Sequence, residues 1–250
     1  MAEQTKCILS NYRKDKCASC TPLCPHKIAL EGLDGQTGRV GNANLPADYR
    51  GITLSNSPAR EGQAEIYKQL GVYVKTFARS LAGGEGVKSL YLWSESPGTG
   101  KTTTAAALIS EWIAADYLSA LKKGEQPRQH SAYFLDVNLL QTMYNEFNRP
   151  RVPNHIAEPA AAKYFRAISK AKEAPFSVLD DIGVRDASEG FRGDLHSIIN
   201  HRVASAKPTV YTSNLSIDEM EDVFDARLYD RMRDMCATMH FKGESKRGRR

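Results

Sequence analysis

The sequence predicts an α/β fold organised around a parallel sheet. Three observations predict it. A run of strand formers at residues 89–94 (SLYLWS) leads into a glycine-rich turn and directly on into a helix-forming run from Thr103. A second apolar run, 176–181 (FSVLDD), ends in two carboxylates, and a third, 209–214 (TVYTSN), ends in an amide. Continuous apolar strands of this kind suit a sheet buried on both faces.

The chain of 250 residues suffices for one full domain and a small module. Its 41% hydrophobic and 25% charged residues lie near globular averages, which excludes collagen-like, wholly disordered and disulfide-dense chains. No run approaches the roughly 18 apolar residues of a membrane span, and the start (MAEQTKCILSNYRKDK) lacks the apolar core of a signal peptide. A cytoplasmic protein without a membrane partner is expected. The net charge of +5 resides at the ends: residues 241–250 carry +4, residues 1–27 carry +3, and the middle carries −2. Long-range attraction to nucleic acid would act mainly from there, and a solvated tail is the alternative.

Four cysteines, Cys7, Cys17, Cys20 and Cys24, crowd the N-terminus, with His26 just beyond, while Cys236 is remote. In a reducing compartment such crowding points to a metal. The spacing C-x9-C-x2-C-x3-C supplies thiolates for a tetrahedral zinc, and so short a segment needs the metal to fold. Which four of the five bind stays open, because His26 can replace a cysteine; free thiols or a redox pair are the alternative. Residues 28–60, rich in Gly, Asn and Pro, read as a linker packed on the main domain. From 59 to 81, Ile66, Leu70, Val74 and Phe77 fall at helical spacing and predict one amphipathic helix. The expected division is 1–45 for the zinc module and linker, and 46–250 for the main domain with its basic tail.

The turn Glu95-Ser-Pro-Gly-Thr-Gly-Lys-Thr102 sits between strand and helix, the context a phosphate-binding loop requires. Ser96, Pro97, Gly98, Thr99, Gly100, Lys101, Thr102 and Thr103 are the expected nucleotide-binding residues. Gly98 and Gly100 let backbone N–H groups converge on phosphate oxygens, and the helix N-terminus adds its dipole. Lys101 would reach the β- and γ-phosphates of ATP, and the Thr102 hydroxyl would bind Mg²⁺. Glu95 stands where the motif has its first glycine, so its carboxylate must turn away from the phosphates.

Asp180 and Asp181 close the acidic strand. Asp180 is assigned to Mg²⁺ and Asp181 to the attacking water, with a helix N-cap as the alternative. Asn214, at the tip of the third strand, could orient that water. Arg227 and Arg231 share one helical face, either solvated or aimed at the γ-phosphate of a neighbouring subunit.

Together PGTGKT, VLDDIG, TSNLS and RLYDRMR, ending in MHFKGESKR, resemble the DnaC/DnaI group of helicase loaders, which are AAA+ ATPases related to the transposition ATPase IstB. The resemblance covers about residues 60–247. It implies a five-stranded parallel sheet flanked by helices, with the lid reduced or absent, as the short text after Asn214 agrees. It implies that Asn214 is sensor 1 and that Arg231, beside Arg227, is an arginine finger used in self-association. DnaI-like loaders also carry an N-terminal zinc module that contacts the helicase. A helical segment before the acidic strand would line a channel for single-stranded DNA. Here residues 138–174 follow the expected strand Ala132–Asp136 and bring Tyr144, Phe147, Arg149, Arg151, Lys163 and Arg166 as candidate contacts, with core rings and a solvated face as the alternative.

The reading is therefore an ATPase, weak alone and stimulated by assembly and DNA, that binds a hexameric replicative helicase and delivers it to single-stranded DNA, with ATP, Mg²⁺ and Zn²⁺ as cofactors. An IstB-like ATPase that recruits a transposase is the alternative. A small-molecule kinase lacks its arginine-bearing lid here, and a pure interaction module would make Asp181 and Arg231 dispensable.

Overall fold

Strands form where β-branched and aromatic residues run without polar interruption, and the first four of them are buried along nearly their whole length. The computed structural model describes residues 7–10, 12, 21, 23–183, 187–224 and 226–245. In chain order the elements are α1 (Pro25–Glu31), α2 (Gly38–Asn42), α3 (Ala64–Tyr73), α4 (Lys75–Leu81), β1 (Ser89–Trp93), α5 (Lys101–Lys123), β2 (Ala132–Asp136), α6 (Val137–Asn148), α7 (Asn154–Glu173), β3 (Phe176–Asp180), α8 (Glu189–Ala204), β4 (Thr209–Ser213), α9 (Ala226–Met235) and β5 (Cys236–His240). The five strands form one sheet in the order β2-β3-β4-β1-β5. β1 pairs in parallel with β4 and β5, and β3 with β4. The expected α/β fold with a five-stranded sheet is present. No helix of the described residues is long and apolar enough to cross a membrane.

Register decides which side chains meet. Trp93 faces both Ser213 of β4 and His240 of β5, and Leu179 faces Tyr211. Because these strands run in parallel, the residues at their C-terminal ends emerge at one edge of the sheet.

The chain divides into two compact units, residues 1–87 with 102–133, and residues 88–101 with 134–250. In the first, Phe77 meets Trp112 edge-on with ring centroids 5.1 Å apart, and the Trp112 indole N–H donates to Ser131 O at 3.0 Å. Residues 28–60, read as a linker packed on the main domain, contain α2 and several buried side chains. Leu30, Val40, Ala43 and Leu45 are buried, and the Arg39 guanidinium donates to Ala29 O, Pro127 O and Arg128 O at 2.6, 3.0 and 2.9 Å. The one helix expected over 59–81 is two, α3 and α4, separated at Val74. The Thr76 hydroxyl donates to Tyr73 O at 2.6 Å, taking a carbonyl that a continuous helix would use.

The second unit centres on a fully buried arginine. Arg202 donates to Ala171 O at 2.7 Å, Ala174 O at 2.9 Å, Pro208 O at 2.8 Å and Thr209 Oγ1 at 2.7 Å. It ties the C-terminal end of α7 and the start of β4 to α8. Lys207 adds bonds to Lys172 O and Glu173 O at 2.8 and 3.2 Å, the placement that suits a cation at a helix C-terminus. Desolvation pushes the Arg202 pKa down to about 10, so the group stays charged at neutral pH.

Candidate functional site

The glycine-rich turn leaves β1 and enters α5 without a gap. Within it Gly98 and Gly100 adopt φ of 74° and 101°, conformations open to glycine and costly for other residues. Glu95, at the first position of the motif, is not among the residues with positive φ, so its backbone does not demand glycine there. Ser96, Pro97 and Thr99 complete the turn, and Thr102 and Thr103 lie in the first turn of α5.

Lys101 is buried, and its ammonium donates to Asn214 Oδ1 at 2.8 Å, with Ser96 O and Ser94 O at 3.3 and 3.4 Å. The structure thus brings the loop lysine and the β4 amide, read separately in the sequence, into direct contact. The pairing follows from strand order, because β1 and β4 are neighbours and both end here.

The acidic pair is built around a residue the sequence did not single out. The Thr212 hydroxyl donates to Asp180 Oδ1 at 2.7 Å and accepts the Asp181 backbone N–H at 2.8 Å. A hydroxyl can do both at once, so one side chain of β4 fixes both acids of β3. Asp181 has φ of 63°, the left-handed region that Asp tolerates better than most residues. Its Oδ2 accepts from Asn138 Nδ2 at 2.9 Å. Asn138 stands in the first turn of α6, whose N-cap is Asp136, accepting from Leu139 N at 2.9 Å. Asp180 is buried and Asp181 half-buried, so one carboxylate is enclosed and the next reaches the edge. Two consecutive carboxylates at a strand end can hold a cation and polarise a water.

Glu95 is turned toward β5. Its Oε2 lies 3.0 Å from His240 Nε2, and the imidazole stacks on the Trp93 indole at 3.9 Å between centroids and 5° between planes. Hydrogen bonding by its own backbone N–H and by His240, with Lys101 nearby, holds the Glu95 carboxyl below the usual carboxylate range. The sequence required such a turn away from the loop but gave no partner for it. Trp93 is half-buried.

Arg227 and Arg231 lie on the exposed face of α9, opposite the buried Leu228 and Met232. Arg231 donates to Asn200 Oδ1 at 2.6 Å. Of the candidate DNA contacts, Arg149 and Arg151 fall between α6 and α7 and Lys163 and Arg166 on α7; all are exposed. Tyr144 and Phe147 join Tyr164 and Phe191 in a cluster of rings 5.3 to 5.7 Å apart, a packing role. Phe165 borders this cluster and is 56% exposed, an aromatic beside the cations that the sequence reading passed over.

Among the described residues the N-terminal cysteines form no assembled site. Cys17 and Cys20 lie outside the described residues, and among the described residues no three His, Cys, Asp or Glu side chains gather to hold a metal. Cys7 is buried and Cys24 half-buried, while His26 Nδ1 lies 2.9 Å from the Tyr117 hydroxyl. The zinc expectation rests on cysteine spacing alone.

No family model matches the chain. It is 23% identical over 238 residues to the replicative helicase loader DnaI of Bacillus subtilis, which covers 90% of this chain and 67% of that protein. It is 24% identical over 174 residues to the replicative helicase loader DnaC of Escherichia coli K12, covering 69% of this chain; the match spans 59% of the length of that protein. Among solved structures, DnaI superposes with a TM-score of 0.52 at 21% identity, over 81% of this chain and 94% of that one. AMPPCP-bound DnaA from Aquifex aeolicus gives 0.50 at 18% identity, over 76% and 50%. The structural likeness is one of fold. With the sequence matches it bears out the DnaC/DnaI-type resemblance.

Proposed function

We propose that this chain is an ATP-dependent loader that binds a DnaB-type replicative helicase and delivers it to single-stranded DNA at replication initiation. One observation carries the reading: the loop lysine Lys101 bonds to the strand-end amide of Asn214, in a chain similar to a helicase loader over 90% of its length.

ATP is the substrate. Backbone N–H groups about Gly98 and Gly100 and the Lys101 ammonium receive its phosphates, and Asp181 and Asn214 orient the attacking water. Thr102 and Asp180 are the proposed Mg²⁺ ligands, a role that suits a buried strand-end carboxylate; the ion would neutralise phosphate charge. Arg231, with Arg227 beside it, acts on the nucleotide of a neighbouring copy, so turnover is weak alone and rises with assembly and DNA. Arg149, Arg151, Lys163 and Arg166 supply cations to the DNA backbone. Residues 1–45 form the helicase-docking module, with zinc on four of Cys7, Cys17, Cys20, Cys24 and His26, and residues 46–250 form the motor. The protein works in the cytoplasm.

The deciding experiment is capture of a DnaB-type hexamer on immobilised protein, with and without ATP. ATP-dependent capture supports the loader. Failure to capture, together with recruitment of a transposase to duplex DNA, would support the IstB-like alternative. Elemental analysis tests zinc separately: about one zinc per chain is expected, lost in Cys17→Ser with Cys20→Ser.

A further inference from the structure

We propose that His240 is a positioning residue for nucleotide binding: it holds the Glu95 carboxylate off the phosphate-binding loop, and so makes a loop that begins with an acid usable. The inference rests on the nucleotide-binding reading above.

Replacing glycine by glutamate at the head of the loop changes charge rather than backbone, since Glu95 does not have positive φ. The carboxylate is ionised at neutral pH, because its own backbone N–H and His240 depress its pKa. It is also 69% exposed, so packing does not restrain it. Left to itself it has an attractive target in the Lys101 ammonium of the same loop, where it would occupy the group that should meet phosphate and would repel the incoming anion. The 3.0 Å contact with His240 gives it another partner. Facing an ionised carboxylate, His240 Nε2 carries the proton and donates.

The imidazole is well placed for this because two contacts hold the end of β5. Its ring lies flat on Trp93, its register partner, and the Phe241 N–H donates to Trp93 O at 2.8 Å. A ring stacked in this way has little side-chain freedom left to lose on bonding Glu95. The loop residue that departs from the motif and the histidine that compensates for it lie 145 positions apart in the chain, joined only by the pairing of β1 with β5.

The test is a double-mutant cycle on Mg·ATP affinity, measured by calorimetry on the full chain, using wild type, His240→Ala, Glu95→Gly and the double variant. His240→Ala should weaken binding about three- to fivefold, the reach of one hydrogen bond to a carboxylate. Glu95→Gly should bind as tightly as wild type or tighter, and His240→Ala should have no further effect in that background. His240→Gln, which keeps a donor, should recover part of the loss, and Glu95→Gln should behave as Glu95→Gly. Thermal melts of each variant report whether loss of the Trp93 stack has damaged the fold. Equal loss from His240→Ala in both backgrounds would assign His240 a packing role and overturn the proposal, as would no loss in either. Absence of Mg·ATP binding in wild type would overturn the nucleotide reading itself, and this inference with it.

Discussion

Lys101 and Asn214, 113 positions apart in sequence, meet through a 2.8 Å hydrogen bond from the lysine ammonium to the amide oxygen. The bond ties the loop that would hold phosphate to the tip of the strand that would sense it. On the proposed nucleotide reading, a phosphate approaching Lys101 would compete for protons now given to Asn214, Ser94 and Ser96, and the amide would register its arrival. Asn214→Ala should therefore leave ATP affinity within about threefold while turnover falls about tenfold to a hundredfold, because positioning in the transition state is lost and ground-state binding is not. Lys101→Ala should abolish detectable binding. Equilibrium titration alongside steady-state turnover separates the two.

Asp181 should behave differently from its neighbour. Its carboxylate sits on a left-handed backbone, braced by Asn138 and by the Thr212 hydroxyl. Asp181→Asn should keep ATP binding and lower single-turnover hydrolysis about a hundredfold or more, the scale of a lost general base. Asn138→Ala removes only the brace and should cost about tenfold. Equal losses in the two variants would show that Asn138 does more than orient the acid.

The strand cores, the phosphate loop and the acidic pair were legible because each is a local signal: an apolar run with a polar tip. The expected strands at Ala132–Asp136 and 176–181 correspond to β2 and to β3 with one residue beyond it. β5 was missed because CATMH mixes small, polar and apolar residues, and its strand form comes from pairing with β1 rather than from local propensity. Thr212, Asn138 and His240 were invisible for the same reason, since each acts on a residue brought near by sheet order. The split between α3 and α4 is another case: the apolar spacing ran through Val74, and a single hydroxyl, that of Thr76, took the carbonyl at the break.

Arg202 carries a stability prediction. Its guanidinium is fully enclosed and satisfies acceptors at the end of α7 and the start of β4, none of them charged. Arg202→Met should destabilise the protein by about 3 to 5 kcal/mol, because several buried carbonyls lose their donor together. Arg202→Lys should recover less than half of that, since an ammonium lacks the planar fork. Urea melts give both values.

Cys236 gives a pH dependence. Burial in β5 raises its thiol from 9.0 to about 12. The folded state thus keeps a proton that the unfolded chain releases, so the stability linked to this thiol is complete below pH 9.0 and is lost as the pH rises from there toward 12. Cys236→Val removes the titrating group and should flatten the alkaline arm of the stability curve. Tyr91 and Tyr211, whose hydroxyls burial also raises, keep the remaining slope. In chelator-treated protein, iodoacetamide at pH 8 should label the half-buried Cys24 before the buried Cys236, as peptide mass spectrometry would read.

Arg231 separates an intermolecular role from a local one. Within the chain its guanidinium bonds Asn200 at 2.6 Å, which alone would make it a link between α8 and α9. If that link is its whole purpose, Asn200→Ala and Arg231→Ala should lower thermal stability alike and leave turnover per bound ATP unchanged. As an arginine finger, Arg231→Ala should abolish the rise of specific activity with protein concentration, while Asn200→Ala preserves it. Mixing Arg231→Ala with Lys101→Ala protein sharpens the test. One partner then supplies an intact nucleotide loop and the other an intact arginine, so assembly-dependent activity should reappear in the mixture although neither variant shows it alone.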